Sequence, residues 1–255
     1  MTRSISAPFA ARAVALLDLT DLSNGLDEAG VETLCSRAVT RLGPVAAVCT
    51  WAGFVPQAKR LLKDTGVKVA TVVNFPAGGT DVTQVADETR YALLDGADEI
   101  DLVLPWRALV KGDRETVGAL IGAVRSAVPS TRLLKVILET GELTSPHLIR
   151  EAARIAITTG ADFIKTSTGK TTVSATPEAV QIMLEEIRAA PRSVGLKPSG
   201  GIRTVADAAA YLALADGIMG PAWASPRTFR FGASGLLDAL LADQAAAPTA
   251  TGTPY

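Results

Sequence analysis

Between about residue 15 and residue 240 the chain alternates short, almost uninterrupted apolar runs with longer segments whose apolar positions recur every three or four residues. The first pattern belongs to strands buried on both faces, the second to helices with one face on a core. The runs predict strands at 15–19, 46–50, 67–73, 99–104, 133–139, 163–166, 193–197 and 217–219. Helix starts are written as a capping oxygen before a proline or an acidic first turn, at Ser145-Pro146, Thr176-Pro177-Glu178 and Thr204 to Asp207. Gly96 and Gly160 mark helix ends.

Eight β-then-α units with near-continuous apolar strands predict an α/β fold of the closed, parallel kind. This is a single-domain (β/α)8 TIM barrel with a short extra helix at its N-terminus. An open doubly wound sheet fits less well, because no G-x-G-x-x-G follows the first strand. The barrel is expected over residues 1–241. Residues 242–255, "ADQAAAPTATGTPY", are low in complexity and read as a flexible tail, whose terminal Tyr255 could fold over the barrel mouth.

Composition narrows the chemistry. The net charge is -1, with 48% hydrophobic and 20% charged residues, so nothing favours nucleic acid or an anionic membrane as partner. The longest uncharged stretch, 42–58, is broken by Pro44, Gly53 and Pro56, and neither it nor the short apolar patch at 13–17 reads as a membrane span or a secretory signal. Two cysteines, Cys35 and Cys49, have neither metal-ligand spacing nor a disulfide framework, which suggests the cytoplasm. The single histidine, His147, falls at a helix start and reads as exposed; it cannot build a multi-histidine zinc site or a Ser-His-Asp relay. No metal is expected.

Lysine is where the pattern breaks. Of 25 basic residues 17 are arginine and eight are lysine, and three lysines lie in predicted strands: Lys135, Lys165 and Lys197. A charge in a strand buried on both faces needs a reason. By strand alternation Lys135 shares a face with Glu139, and Asp101 with Glu99. Structural ion pairs or lysines snorkelling outward would each explain one such residue. Three together, two of them running into glycine-containing loops, point instead to a site at the strands' C-terminal ends.

The stretch "DFIKTSTGKTT" offers two readings. As the tail of a P-loop it needs glycine at 164, and that residue is Ile164, so the P-loop fails. Thr168, Gly169 and Lys170 can still hold a phosphate through backbone N–H groups and an ammonium. Gly200, Gly201 and Arg203 after the seventh strand, and Ser234 and Gly235 before the last helix, form a second candidate phosphate site.

In order along the chain, "LLDLTDL", "VVNFPAG", "GADEIDLVLPWRAL", "LLKVILETGEL", "GADFIKTSTGK", "ATPEAV", "VGLKPSGGIRT" and "RFGASGLL" resemble the deoxyribose-phosphate aldolase family of class I, Schiff-base aldolases. The resemblance implies reversible cleavage of 2-deoxy-D-ribose 5-phosphate to D-glyceraldehyde 3-phosphate and acetaldehyde, without metal or cofactor. It implies Lys165 as the Schiff-base lysine, Lys197 as the second active-site lysine and Asp101 as the proton-transferring carboxylate. Two departures stand out. Gly235 replaces a second serine, and Trp51-Ala52-Gly53 replaces an aromatic followed by proline. Both bear on substrate range and phosphate affinity.

The chemistry demands a neutral amine. An ordinary lysine has a pKa of about 10.4, so roughly one in 2,500 is ready at pH 7. Burial and a second ammonium can lower that value; about 3 units correspond to about 4 kcal/mol. This makes Lys165 the nucleophile and Lys197 its charged neighbour, with Asp101 moving protons. Lys135 is expected to tune the site or to pair with Asp101 or Glu139. Asp18, Thr20 and Cys49, at the ends of the first two strands, are expected to line the pocket, with packing an equal reading for Cys49. Rival readings are another class I aldolase or transaldolase, a phosphate-binding isomerase, and a non-catalytic sugar-phosphate-binding barrel. Pairing through exposed apolar helix faces predicts a homodimer.

Overall fold

The computed structural model describes residues 7–245; residues 1–6 and 246–255, including Tyr255 and most of the expected tail, lie outside the described residues. Eight parallel strands make one sheet: β1 (Leu17–Thr20), β2 (Ala47–Thr50), β3 (Lys68–Val73), β4 (Glu99–Val103), β5 (Leu133–Ile137), β6 (Phe163–Lys165), β7 (Gly195–Lys197) and β8 (Phe231–Ala233). They pair in chain order, and β8 lies beside β1. Between β7 and β8 the circle closes through the isolated parallel bridges Leu196–Phe229 and Ser199–Gly232. There Arg230 N donates to Leu196 O and Gly232 N to Pro198 O, both at 2.9 Å. This seam carries less ladder than the other junctions.

Helix α1 (Ala7–Ala15) precedes β1. The outer ring follows as α2 (Glu28–Ser36), α3 (Val55–Leu61), α4 (Val82–Leu94), α5 (Trp106–Val110), α6 (Arg114–Ala127), α7 (Pro146–Thr158), α8 (Pro177–Ala189), α9 (Val205–Met219) and α10 (Leu236–Ala245). The expected domain boundary after residue 241 falls inside α10. Ser145 and Thr176 cap α7 and α8 through their hydroxyls, and Thr204 with Asp207 forms a capping box on α9. No described helix is long and apolar enough to cross a membrane.

Three expectations change. Residues 217–219 belong to α9, and the eighth strand is β8. Helix α9, "VADAAAYLALADGIM", is apolar almost all round, so its last turn imitates a strand, while the true strand is three residues long and contains Gly232. Ala15 closes α1, and β1 begins at Leu17. Strand β5 ends at Ile137, and Glu139 lies beyond it with φ +56°, so strand alternation does not carry Lys135 and Glu139 onto one ladder.

The N-terminal face of the barrel uses one fastening twice. In "GADEI" and "GADFI" a left-handed glycine, Gly96 (φ +100°) or Gly160 (φ +105°), ends the helix and a buried alanine follows. The aspartate then ties down the preceding strand: Asp98 Oδ2 accepts from Val69 N at 3.0 Å and Asp162 Oδ2 from Leu134 N at 2.8 Å. Lys59 (2.7 Å) and Arg132 also bind Asp98, and Arg125 (2.8 Å) binds Asp162.

The apolar interior is divided. A large core fills the space around the strands and helices, and a small separate cluster contains Leu22, Ala47, Cys49, Ala70 and Val72. Small residues make room in the barrel for long ones. A Cβ on Gly195 would meet the Phe163 ring at 2.3 Å, and one on Gly232 would meet Ser199 Oγ at 2.6 Å and Lys197 Cε at 3.0 Å. Much of the space so freed is occupied by charge.

Candidate active site

Strand registry brings the lysines together. Asp101 pairs with Lys135, and Lys165 with Lys197, on neighbouring strands. The Lys165 and Lys197 amines both donate to one oxygen, Asp101 Oδ2, at 2.9 and 2.7 Å, while Lys135 holds Oδ1 at 2.8 Å. Lys197 also lies 2.7 Å from Asp18 Oδ2, and Lys135 lies 2.6 Å from Glu99 Oε2. Arg230 completes the set, reaching Asp18 Oδ1 at 2.6 Å and Glu99 Oε1 at 2.9 Å. All seven side chains are 4% exposed or less.

Three carboxylates therefore face four bases. If Lys135, Lys197 and Arg230 are charged, the network is neutral only when Lys165 is an uncharged amine; a fourth cation would be buried without a matching anion. The local field agrees. Burial pushes Lys165 below the ordinary lysine value and Lys197 pushes it the same way, against the pull of Asp101. For Lys197, burial is outweighed by Asp101 and Asp18, and its value is raised. Lys135 is likewise raised, burial being overcome by Asp101, Glu99 and Asp18. Asp101 is held well below the carboxylate range, burial being overcome by the three lysines. Burial pushes the Cys49 thiol up, which keeps it uncharged beside them.

Above these residues, at the strands' C-terminal ends, a cavity of about 340 Å³ is lined by the β1, β6, β7 and β8 loops. Thr20, Thr168, Gly169, Lys170, Gly200, Gly201, Arg203 and Ser234 all line it. Gly169, Gly200 and Gly201 are left-handed (φ +78°, +83° and +78°), conformations that glycine adopts without steric cost. The Lys170 ammonium spans the mouth to Leu22 O at 2.8 Å. Capped α9 begins directly after Arg203 and α10 shortly after Ser234, so two helix N-termini adjoin the cavity. These walls offer backbone N–H groups and the basic side chains Lys170 and Arg203, the chemistry that suits a small anion.

Most expected site residues thus lie in the charged bore or at its mouth. Gly235 is not among the residues lining the cavity. Cys49 is wholly buried, in the small apolar cluster. Lys135 pairs with Asp101 and not with Glu139, whose carboxylate instead receives Thr168 N (3.2 Å), Thr168 Oγ1 (2.6 Å) and Thr171 Oγ1 (3.3 Å). His147 is exposed, as expected. Trp51 packs edge-on against Phe75 at 5.6 Å and donates to Ser23 O at 3.0 Å. Sequence reasoning passed over Arg230, Ser199 and Gly232. An arginine just before the last short strand was the available signal for the first.

Residues 12–240 match the DeoC/LacD family aldolases. The chain is 54% identical over 244 residues to the deoxyribose-phosphate aldolase of Agrobacterium fabrum (strain C58 / ATCC 33970), covering 94% of each. Its fold superposes with a TM-score of 0.87 on the apo form of a Toxoplasma gondii ME49 protein provisionally described as a deoxyribose-phosphate aldolase. That match is 28% identical and covers 95% of this chain and 98% of the other. The tetrameric deoxyribose phosphate aldolase of Aeropyrum pernix, 23% identical, shares the fold at a TM-score of 0.75 over 93% of each chain.

Proposed function

This chain belongs to the DeoC/LacD aldolase family, and from that premise we propose that it cleaves 2-deoxy-D-ribose 5-phosphate reversibly to D-glyceraldehyde 3-phosphate and acetaldehyde through an imine on Lys165. The observation that carries this reading is the pair of buried amines sharing Asp101 Oδ2, one amine lowered and the other raised.

The free Lys165 amine attacks C1 of the open-chain aldehyde. Loss of water from the carbinolamine requires one proton, which Lys197 supplies through Asp101. Positive charge then moves to the iminium on Lys165 while Lys197 becomes a free amine, so the buried network keeps the same total charge. The two-carbon product fixes the scissile bond as C2–C3. Its electrons flow into the iminium, and the C3 hydroxyl loses its proton to Lys197, directly or through water held by Asp101. Protonation of the resulting enamine at C2 and hydrolysis release acetaldehyde and restore Lys165. The lysine itself is the electron sink, so the scheme calls for no metal or cofactor. Thr168, Gly169, Lys170, Gly200, Gly201, Arg203 and Ser234 hold the phosphate at the mouth, and Thr20 lines the sugar's path. Asp18 and Lys135 set the charge around Asp101. Gly235 serves the start of α10, and Cys49 packs in the small apolar cluster beside the amines. A homodimer in the cytoplasm is the expected working form.

Borohydride trapping with acetaldehyde, followed by intact mass and peptide mapping, tests this. A two-carbon adduct on Lys165, absent from Lys165→Leu, is the expected result. A folded protein that gives no adduct would move the reading to a non-covalent sugar-phosphate barrel.

A further inference from the structure

The proposed reaction uses Lys165, Lys197 and Asp101 directly, which leaves Arg230 without a task. Arg230 lies just before β8, with its backbone in the seam and its guanidinium 4% exposed. Four of its five N–H donors are committed. Nε donates to Pro226 O at 2.6 Å, Nη1 to Asp18 Oδ1 at 2.6 Å and Glu99 Oε2 at 3.2 Å, and Nη2 to Glu99 Oε1 at 2.9 Å. Arg230 and Glu99 also wall a second cavity, of about 590 Å³, at the N-terminal ends of the strands. The arginine therefore sits at the far end of the bore from the substrate cavity and reaches the amines only through other side chains. Asp18 leads to Lys197, and Glu99 leads through Lys135 to Asp101.

We propose that Arg230 is a positioning residue for the reaction: by holding Asp18 and Glu99 it determines how much carboxylate charge is left for the three lysines, and so what fraction of Lys165 stands as free amine. The inference rests on Lys165 being the Schiff-base lysine. The ionisable groups around Lys165 are Asp101 and Glu99 on β4, Lys197 on β7, Cys49 on β2, Asp18 on β1, Lys135 on β5 and, beyond them, Arg230. A guanidinium stays charged at any working pH. Without it the bore holds three carboxylates and two cations, and protonating Lys165 is the nearest way to restore neutrality. Removing the Glu99 charge does the opposite, because the remaining cations then repel a proton from Lys165.

The test compares wild type, Arg230→Met, Arg230→Lys and Glu99→Gln. It reads kcat/KM for cleavage against pH, and borohydride trapping of Lys165 by acetaldehyde at each pH. Arg230→Met should move the acid limb to higher pH, with roughly three- to tenfold less free amine at neutral pH. Glu99→Gln should move it to lower pH, and Arg230→Lys should stay near wild type. A purely structural role would depress all variants at every pH and leave the limb in place. Limbs that stay fixed, or that shift in the same direction in Arg230→Met and Glu99→Gln, overturn the inference. If Arg230→Met does not fold, the remaining pair decides: a limb unmoved in Glu99→Gln, or moved as far in Arg230→Lys, overturns it. Failure of the wild type to form the adduct would instead overturn the reading of Lys165.

Discussion

Lys165 and Lys197 stand opposite each other on adjacent strands and share a single carboxylate oxygen, Asp101 Oδ2, at 2.9 and 2.7 Å. Two like groups within reach of one acceptor cannot both be charged without strong repulsion, and the surroundings decide which one is. Lys197 has Asp18 as a second anion, whereas Lys165 has none within ion-pair distance among the described residues. In the proposed reaction this asymmetry is what makes Lys165 the nucleophile and Lys197 the proton carrier.

The pH dependence of catalysis follows. The Lys165 value is lowered, so its amine is free above that value and is protonated as the pH falls through it. Cleavage should therefore fail on the acid side. Lys197→Leu removes a cation that holds the Lys165 value down, so the acid limb should move to higher pH. It also removes the proposed proton carrier, so kcat should drop by roughly 10²–10⁴-fold. Profiles of kcat/KM for the two proteins check both effects.

Gly232 tests how tightly the second lysine is seated. A Cβ there meets Ser199 Oγ at 2.6 Å and Lys197 Cε at 3.0 Å. Gly232→Ala should cost about 1–3 kcal/mol in stability by overpacking and lower kcat by displacing the Lys197 amine. Urea unfolding and steady-state rates measure the two separately, and a variant equal to wild type in both would refute the close packing.

Recognition of the phosphate should be separable from the chemistry. Lys170→Met removes a cation from the mouth, and Glu139→Gln weakens the carboxylate that receives Thr168 and Thr171. Each should raise KM for 2-deoxyribose 5-phosphate roughly tenfold, the scale of one lost charged hydrogen bond. Neither should change kcat/KM for unphosphorylated 2-deoxyribose by a comparable factor.

At the opposite face, Asp98 is a stability element. Its carboxyl is held below the ordinary value, with burial outweighed by Lys59 and the Val69 N–H. Its contribution is therefore complete above about pH 4 and is lost as the pH falls through the lowered folded value. Asp98→Ala should cost about 1–3 kcal/mol, because it leaves the buried Val69 N–H unpaired. The loss relative to wild type should shrink toward low pH. Denaturant midpoints at pH 7 and pH 3 check the sign.

The barrel and the strand lysines were legible in the sequence because both depend on local rules: apolar runs of strand length, capping residues, and charge where charge is expensive. What stayed hidden depends on closure. Arg230 precedes a three-residue strand whose glycine reads as a loop, and its partners are 131 and 212 residues away along the chain. Glu139 was placed on a strand face by alternation, and a single left-handed residue turned it toward another loop. Helix α9 carries only two charged residues, Asp207 and Asp216, so the apolar turn that follows the second imitates a strand.

The thin closure between β7 and β8 has a kinetic meaning. With two isolated bridges against five paired residues in β4–β5, this is the junction from which the circle should open first. Loops that line the cavity of about 340 Å³ rise from the two sides of this junction and from β6 next to it. A phosphoryl group held there would bridge the opening as a removable clasp. Bound ligand should then slow amide exchange most at Leu196, Arg230 and Gly232, far more than in β4, so that occupancy of the mouth is written into how often the barrel breathes.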